Sequence, residues 1–195
     1  MRDFLNQKLS GHRPRELALN YPEAGILLPV TDNHRSPELV FTLRSANLST
    51  HRGQVAFPGG KRDASDESIV HTALRETHEE IGLPPEQVSI VGRLGQVMSR
   101  YGILVTPYVG VIPEDHPLQA NPHEIECIFR VPLDFFLEDR RERTDELSLL
   151  NSTFYVPCYR WDRYQIWGLS AVVLVEFLNA VYDADINLQA PPKGD

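Results

Sequence analysis

The stretch FPGGKRDASDESIVHTALRETHEEIGL, Phe57 to Leu83, joins a Pro-Gly-Gly turn to a run in which Arg75, Glu76, Glu79 and Glu80 stand almost side by side. At about 100° per residue, Val70, Ala73, Leu74, Thr77 and Ile81 fall on one stripe, the face a helix turns toward a core. Ser65 or Asp66 can cap such a helix, which is predicted from about Glu67 to Ile81; Gly82 and then Pro84-Pro85 end it. Glu76 and Glu80 are four residues apart and stack on adjacent turns, with Glu79 beside them and all three off the apolar stripe. Like charges at this spacing cost roughly 0.2–0.5 kcal/mol per pair in water, and more where water is excluded. A solvated acidic face is the commoner fate of such a run. A divalent cation offers another, because Mg²⁺ seeks hard oxygen ligands in octahedral array. Gly59-Gly60 allows positive φ and close approach of the backbone, so the Gly60 carbonyl is a further candidate oxygen ligand. Glu67 and Arg75 lie about two turns apart. Their contact would pin the turn onto the helix, unless both side chains are simply solvated.

Outward from this segment, the charge pattern changes sign. Leu39 to Arg62 contains no Asp or Glu and includes Arg44, Arg52, Lys61 and Arg62. From Asp63 to Glu80 the carboxylates Asp63, Asp66, Glu67, Glu76, Glu79 and Glu80 face only Arg75. A cationic strip running into an anionic helix suits an anionic substrate bridged to the protein by a metal cation; chance surface patterning is the plainer reading.

Apolar runs flank the turn-rich DNHRSP, so EAGILLPVTD and ELVFTLRS read as a strand pair. GQVAF is a short strand stopped by Pro58-Gly59-Gly60; VSIVGRLGQVMS and GILVTPYVGVI are two more. EIECIFRVPL is a strand entering a short helix, NSTFYVPCYRW another strand, and a last helix fits from about Gly168 to Tyr182. The tail NLQAPPKGD is expected to be loose. Strands on both sides of one mid-chain helix, closed by a second, predict an α/β (α+β) sandwich around a mixed sheet rather than a repeating βαβ wind.

The chain has 195 residues, 42% hydrophobic and 24% charged, which fits one domain, or one domain with embellishments. Its formal net charge of −8 argues against a general nucleic-acid binder. Cys127 and Cys158 sit in apolar strand-like runs and read as small buried hydrophobes, without disulfide framework or metal spacing. The opening MRDFLNQKLSGHRPRE lacks the apolar core of a secretion signal. LSAVVLVEFL is broken by Glu176 and too short to span a bilayer. A cytoplasmic protein without membrane contact is the expectation. A P-loop is excluded, since Val55 stands where its first glycine belongs and Arg62 follows Lys61.

The quoted segment resembles the Nudix box: Gly, five residues, Glu, seven residues, Arg-Glu, an apolar residue, any residue, Glu-Glu, any residue, Gly, apolar. Arg75-Glu76-Thr77-His78-Glu79-Glu80-Ile81-Gly82-Leu83 supplies the second half, and Glu67 keeps the spacing to Arg75. There are two departures. Six residues rather than five separate Gly60 from Glu67, and Thr77 fills an apolar position. Upstream, FTLRSANLSTHRGQVAFPGG (Phe41 to Gly60) is similar to the segment preceding the box in the coenzyme A pyrophosphatases of that superfamily. Thr42, Arg44, Ser45, Gly53 and Phe57-Pro58-Gly59-Gly60 match; Ser49 stands where a second Arg is expected, with Arg52 nearby.

The resemblance covers about residues 24–182 and implies a single Nudix-type α/β/α sandwich with that core and peripheral termini. It also implies Mg²⁺- or Mn²⁺-dependent hydrolysis of CoA or acyl-CoA to 3′-phosphoadenosine 5′-phosphate and (acyl-)4′-phosphopantetheine. Glu76, Glu79 and Glu80 would be catalytic and metal-binding, Gly60 and Glu124 further ligands, and Glu79 or Glu80 the base. Arg44, Ser45 and Arg52 would bind substrate, with Glu67 and Arg75 as structural support. Hydrolysis of an ADP-sugar or NADH is the alternative within the superfamily, and a non-catalytic binding module the alternative outside enzymes. The oligomeric state is left open, a homodimer among the options.

Overall fold

β1 (Glu23–Thr31) is apolar on both faces, as a strand must be when layers cover it on each side. Its residues divide by parity: Ile26, Leu28 and Val30 enter one core and Leu27 the other. The structure, a computed structural model, describes residues 1–46, 52–149 and 152–190. β1 pairs in parallel with β7 (Leu104–Ile112), from Glu23 opposite Leu104 to Thr31 opposite Ile112. It pairs antiparallel with β2 (Glu38–Arg44) and β4 (Gly59–Lys61). β3 (Val55–Ala56) and β8 (Ile125–Pro132) pair with β2, while β5 (Ser89–Arg93) and β6 (Val97–Met98) pair with β7. The result is a mixed sheet.

α2 (Ile69–Ile81) packs on one face of this sheet, where Leu27, Val40, Ile81, Leu83 and Ile112 form a small core. The larger core fills the other face under α1 (Arg2–Ser10), α3 (Leu133–Leu137) and α4 (Leu169–Tyr182). This is the α/β/α layering expected. A second, antiparallel sheet of β9 (Arg141–Leu149), β10 (Ser152–Trp161) and β11 (Tyr164–Ile166) joins the first through β11 against β3.

Four details depart from the sequence reading. The N-terminus, expected to be peripheral, forms α1 and buries Leu5 and Leu9 in the main core. The charged run RERTDELSL forms β9 although it lacks apolar alternation. VSIVGRLGQVMS is two strands, β5 and β6. Gly59-Gly60 is not only a turn, because β4 extends through it as a strand against β1. The cysteines are free, Cys158 buried and Cys127 half-buried. The tail lies outside the described residues from 191 onward. Among the described residues no helix is long and apolar enough to cross a membrane.

Candidate active site

α2 begins later than its sequence predicts. Ser68 is the N-cap and its hydroxyl accepts the His71 N–H, so Ile69 rather than Glu67 opens the helix. Gly82 ends it with φ 68°, as expected of a left-handed C-cap. Its buried face carries Thr72, Ala73, Thr77, Glu80 and Ile81, with Val70 and Leu74 only half-buried. The helix can lie this close to β1 because of Gly25, where a Cβ would stand 2.4 Å from the Ile69 carbonyl oxygen. Thr77, the polar departure from the apolar pattern, is buried at no polar cost because its hydroxyl donates to the Ala73 carbonyl at 2.6 Å.

The late start decides which carboxylate holds Arg75. Glu67, expected to do so, is exposed ahead of the helix. Arg75 instead donates from Nε and Nη2 to the two carboxylate oxygens of buried Asp66, at 2.9 and 3.0 Å. Thr72 Oγ1 and the Asp63 N–H add bonds of 2.8 and 2.9 Å, and His71 Nδ1 lies 3.2 Å away. These donors, Arg75 foremost, hold the Asp66 carboxyl far below the usual range despite its burial. Arg75 also donates to the Lys61 carbonyl at 3.2 Å, tying β4 to α2. The expected pinning contact therefore exists, with Asp66 in place of Glu67. The signal was present in the sequence: Asp66, not Glu67, follows Gly60 after the five-residue spacing of the box.

β4 is set against α2 from the other end by Phe57, which stacks on Phe41 with centroids 4.5 Å apart. The Phe57 N–H donates to Ser170 Oγ at 3.4 Å, and the Leu27 N–H to the Pro58 carbonyl at 2.9 Å. Gly59, with φ 147°, then directs its N–H to Glu80 Oε2 at 3.0 Å. Gly60 lies against Glu76: a Cβ there would stand 2.3 Å from Glu76 Oε2. Gly60 pairs with Gly25, and the flanking ladder bonds (Leu27 to Pro58, Arg62 to Glu23) make it a hydrogen-bonded pair. Its carbonyl thus serves the sheet first and keeps a second lone pair for a cation.

Glu80 is 2% exposed, and its Oε1 accepts Arg44 Nη1 at 2.9 Å. Burial pushes its carboxyl up to about 7; the Gly59 N–H and Arg44 oppose the rise, and the charges of Glu76 and Glu124 add to it. Glu76 is half-buried and also raised, by burial first, against the pull of Arg75 at 2.9 Å and with Glu79 and Glu124 adding to the rise. Glu124, in the loop before β8, is thus within electrostatic reach of both helix carboxylates. Glu79 is 52% exposed and paired with Arg75 at 3.2 Å.

The structure therefore brings Glu76, Glu80 and Glu124 into mutual repulsion and turns Glu79 outward. Among the described residues no three His, Cys, Asp or Glu side chains close around one point; Arg44 and Arg75 hold oxygens that a cation would otherwise take. The donor set, all carboxylates and one glycine carbonyl, fits a hard divalent ion such as Mg²⁺ or Mn²⁺.

Arg44 reaches the site because β2 and β8 slip register at Leu43/Arg44, the kind of irregularity that re-aims a side chain. Ser45 is buried, and its N–H donates to the Glu124 carbonyl at 2.8 Å, which anchors that loop beside Arg44. Arg52 is exposed in the β2–β3 turn, where the Gly53 N–H closes onto the Arg44 carbonyl at 3.1 Å. Ser49 lies outside the described residues.

Residues 21–150 match the NUDIX domain family. The chain is 39% identical over 168 residues to the uncharacterized Nudix hydrolase NudL of Photorhabdus laumondii subsp. laumondii, spanning 86% of this chain and 89% of that one. It is 38% identical over 176 residues to the Escherichia coli O1:K1 / APEC protein of the same name, spanning 89% and 91%. Among solved structures, a MutT/nudix family protein from Enterococcus faecalis aligns over 93% of this chain and 69% of its own, with a TM-score of 0.58 and 18% identity. That is a likeness of fold alone.

Proposed function

The chain belongs to the Nudix hydrolase family, and from that premise we propose that it hydrolyses the diphosphate bond of CoA or acyl-CoA in the cytoplasm with Mg²⁺ or Mn²⁺. The products would be 3′-phosphoadenosine 5′-phosphate and (acyl-)4′-phosphopantetheine, with water the second reactant. One observation carries the reading. The coenzyme A pyrophosphatase-like segment and the box fold into a single site, since Arg44 and the Gly59 N–H, both from that segment, grip the two oxygens of Glu80.

The chain's own groups divide the work. Glu76, Glu80 and Glu124 provide a cradle of negative charge, half-shielded from water, with the Gly60 carbonyl at its edge. A divalent cation held by these groups would supply Lewis-acid polarisation of the phosphorus and lower the pKa of a water. Glu79 or Glu80 accepts the proton from the attacking water. Arg75, fixed by Asp66, keeps Glu76 and Glu79 in place. Arg44 and Arg52 offer guanidinium groups to the phosphates of the substrate.

The test is a product assay on CoA, NADH and ADP-ribose, each with Mg²⁺ and with Mn²⁺. The expected result is the highest kcat/KM on CoA or an acyl-CoA, with 3′-phosphoadenosine 5′-phosphate released. A higher kcat/KM on NADH or ADP-ribose would move the assignment to the alternative substrate class, and no hydrolysis of any of them would leave a binding module.

A further inference from the structure

Two arginines touch the site carboxylates, and they are held very differently. Arg75 spends Nε and Nη2 on the buried Asp66 and the Lys61 carbonyl, so its reach to Glu76 and Glu79 is through Nη1 alone. It cannot leave without breaking the β4–α2 clamp. Among the described residues, Arg44 forms its ion pair with Glu80 and with no second carboxylate. Its Nε is buried and finds no acceptor among the described residues. An unmet buried donor on a charged group is uncommon and calls for a missing acceptor.

Glu80 is the most enclosed carboxylate of the site, beside the charges of Glu76 and Glu124. Ionised in that setting it needs a cation, and Arg44 supplies one at Oε1. A divalent ion bound by the same cluster would meet that need more strongly and would repel the guanidinium. The displaced fork would then face the same region with its donors free, including the Nε that now has no partner. Paired guanidinium donors match phosphate oxygens.

We propose that Arg44 is a positioning residue that holds Glu80 in the cation-free protein, yields that carboxylate to the divalent ion, and passes its guanidinium to the substrate diphosphate. The proposal rests on the metal-dependent reading above and makes binding of cation and diphosphate cooperative. It also separates Arg44 from a brace of the fold by sign. Loss of a brace weakens or leaves unchanged every binding event, whereas loss of a competing cation tightens the metal.

The experiment titrates Mn²⁺ alone, by calorimetry and by the paramagnetic resonance signal of free Mn²⁺, into wild type, Arg44→Met, Arg44→Lys, Glu80→Gln and the Arg44→Met/Glu80→Gln double variant. Working at about pH 8 keeps the carboxylates ionised. Arg44→Met should lower the Mn²⁺ Kd by roughly 3- to 10-fold, the scale of one removed charge at a partly screened site. The effect should vanish in the Glu80→Gln background. Methylenediphosphonate, which cannot be hydrolysed at its bridge, is then titrated at saturating Mn²⁺, and its Kd should rise roughly tenfold in Arg44→Met. Arg44→Lys covers the case in which the Met variant does not fold: it keeps the charge and loses the fork, so Mn²⁺ affinity should stay near wild type while diphosphonate affinity falls. An unchanged or weaker Mn²⁺ affinity in Arg44→Met, or tightening that persists without Glu80, overturns the proposal. Wild type that takes up no Mn²⁺ overturns it together with the metal-dependent reading. The expected Arg44→Met shifts in Mn²⁺ and diphosphonate affinity, found in a protein that does not hydrolyse CoA, overturn the substrate assignment and support the role of Arg44.

Discussion

Asp66 and Glu67 are neighbours of the same charge, yet the structure gives them opposite fates. Asp66 is buried with two bonds to Arg75, and Glu67 is exposed. Asp66→Asn weakens the bonds to a half-buried guanidinium that keeps Glu76 and Glu79 as partners, and should destabilise the protein by roughly 1.5–3 kcal/mol, the scale of a charged hydrogen bond. Glu67→Gln should change stability by less than about 0.5 kcal/mol. Thermal unfolding of the two variants checks the pair, and a large loss in Glu67→Gln with none in Asp66→Asn would reverse the assignment. The pH dependence has a definite sign. The Asp66 carboxyl is lower in the folded state than its ordinary value of 3.8. Its contribution is therefore complete above that value and is lost as pH falls below it. Wild type should lose more melting temperature between neutral and strongly acidic pH than Asp66→Asn does. The spacing of the box was legible, but its two halves disagreed on this pair: the five residues after Gly60 lead to Asp66, the seven before Arg75 to Glu67. Helical periodicity favoured Glu67 only on the assumption that the helix had already begun there, and Ser68 at the N-cap removes that assumption.

At the scale of elements, α2 meets β1 at Gly25 and β4 at Gly60, two glycines that do different jobs. A Cβ on Gly25 would strike backbone, 2.4 Å from the Ile69 carbonyl oxygen and 3.0 Å from the Ala73 nitrogen. A Cβ on Gly60 would first strike the end of the Glu76 side chain, a flexible group that can turn away. Gly25→Ala should therefore lower stability by roughly 1–3 kcal/mol as the helix is lifted from the sheet. Gly60→Ala should fold with a near-normal melting temperature while kcat falls by roughly tenfold or more, since displacement of a positioned group by about 1 Å is costly in catalysis. Melting curves and initial rates on the two variants separate the roles; equal stability losses would show that Gly60 also serves packing. Elements with a clear apolar period (β1, β2, β7, α4) could be read from the sequence. β4 could not, because two consecutive glycines carry no side-chain pattern. β9 was missed because Arg141, Arg143 and Asp145 take their partners from ion pairs and hydrogen bonds rather than from an apolar core.

Across the whole molecule, the negative helix is supported by layers on both sides of the sheet, including the N-terminal helix whose Leu5 and Leu9 complete the larger core. That contribution was hidden in the sequence because two leucines and Phe4 among polar residues mark an amphipathic helix only once a core exists to receive them. A scaffold stabilised from several directions can hold a cluster of carboxylates that oppose one another, and the opposition should be measurable as a change of sign. Glu76 carries a raised carboxyl through burial and through the charges of Glu79 and Glu124, partly offset by Arg75. A group raised in this way is less favourable as an anion when folded than when unfolded. The neutral isostere Glu76→Gln should then raise the melting temperature of the EDTA-treated protein slightly, by the equivalent of roughly 0.2–0.5 kcal/mol. With Mn²⁺ added the order should invert. A cation that binds only the folded state stabilises by about 2.7 kcal/mol at a hundredfold excess over its Kd, and Glu76→Gln, having lost a ligand, should receive much less of that gain. Turnover should vanish in EDTA, return with Mg²⁺ or Mn²⁺, and remain lower by orders of magnitude in the variant. The decisive comparison is four melting curves, wild type and Glu76→Gln with and without Mn²⁺. If the two proteins gain equally from the cation, Glu76 is an acidic surface residue and the metal must be held elsewhere.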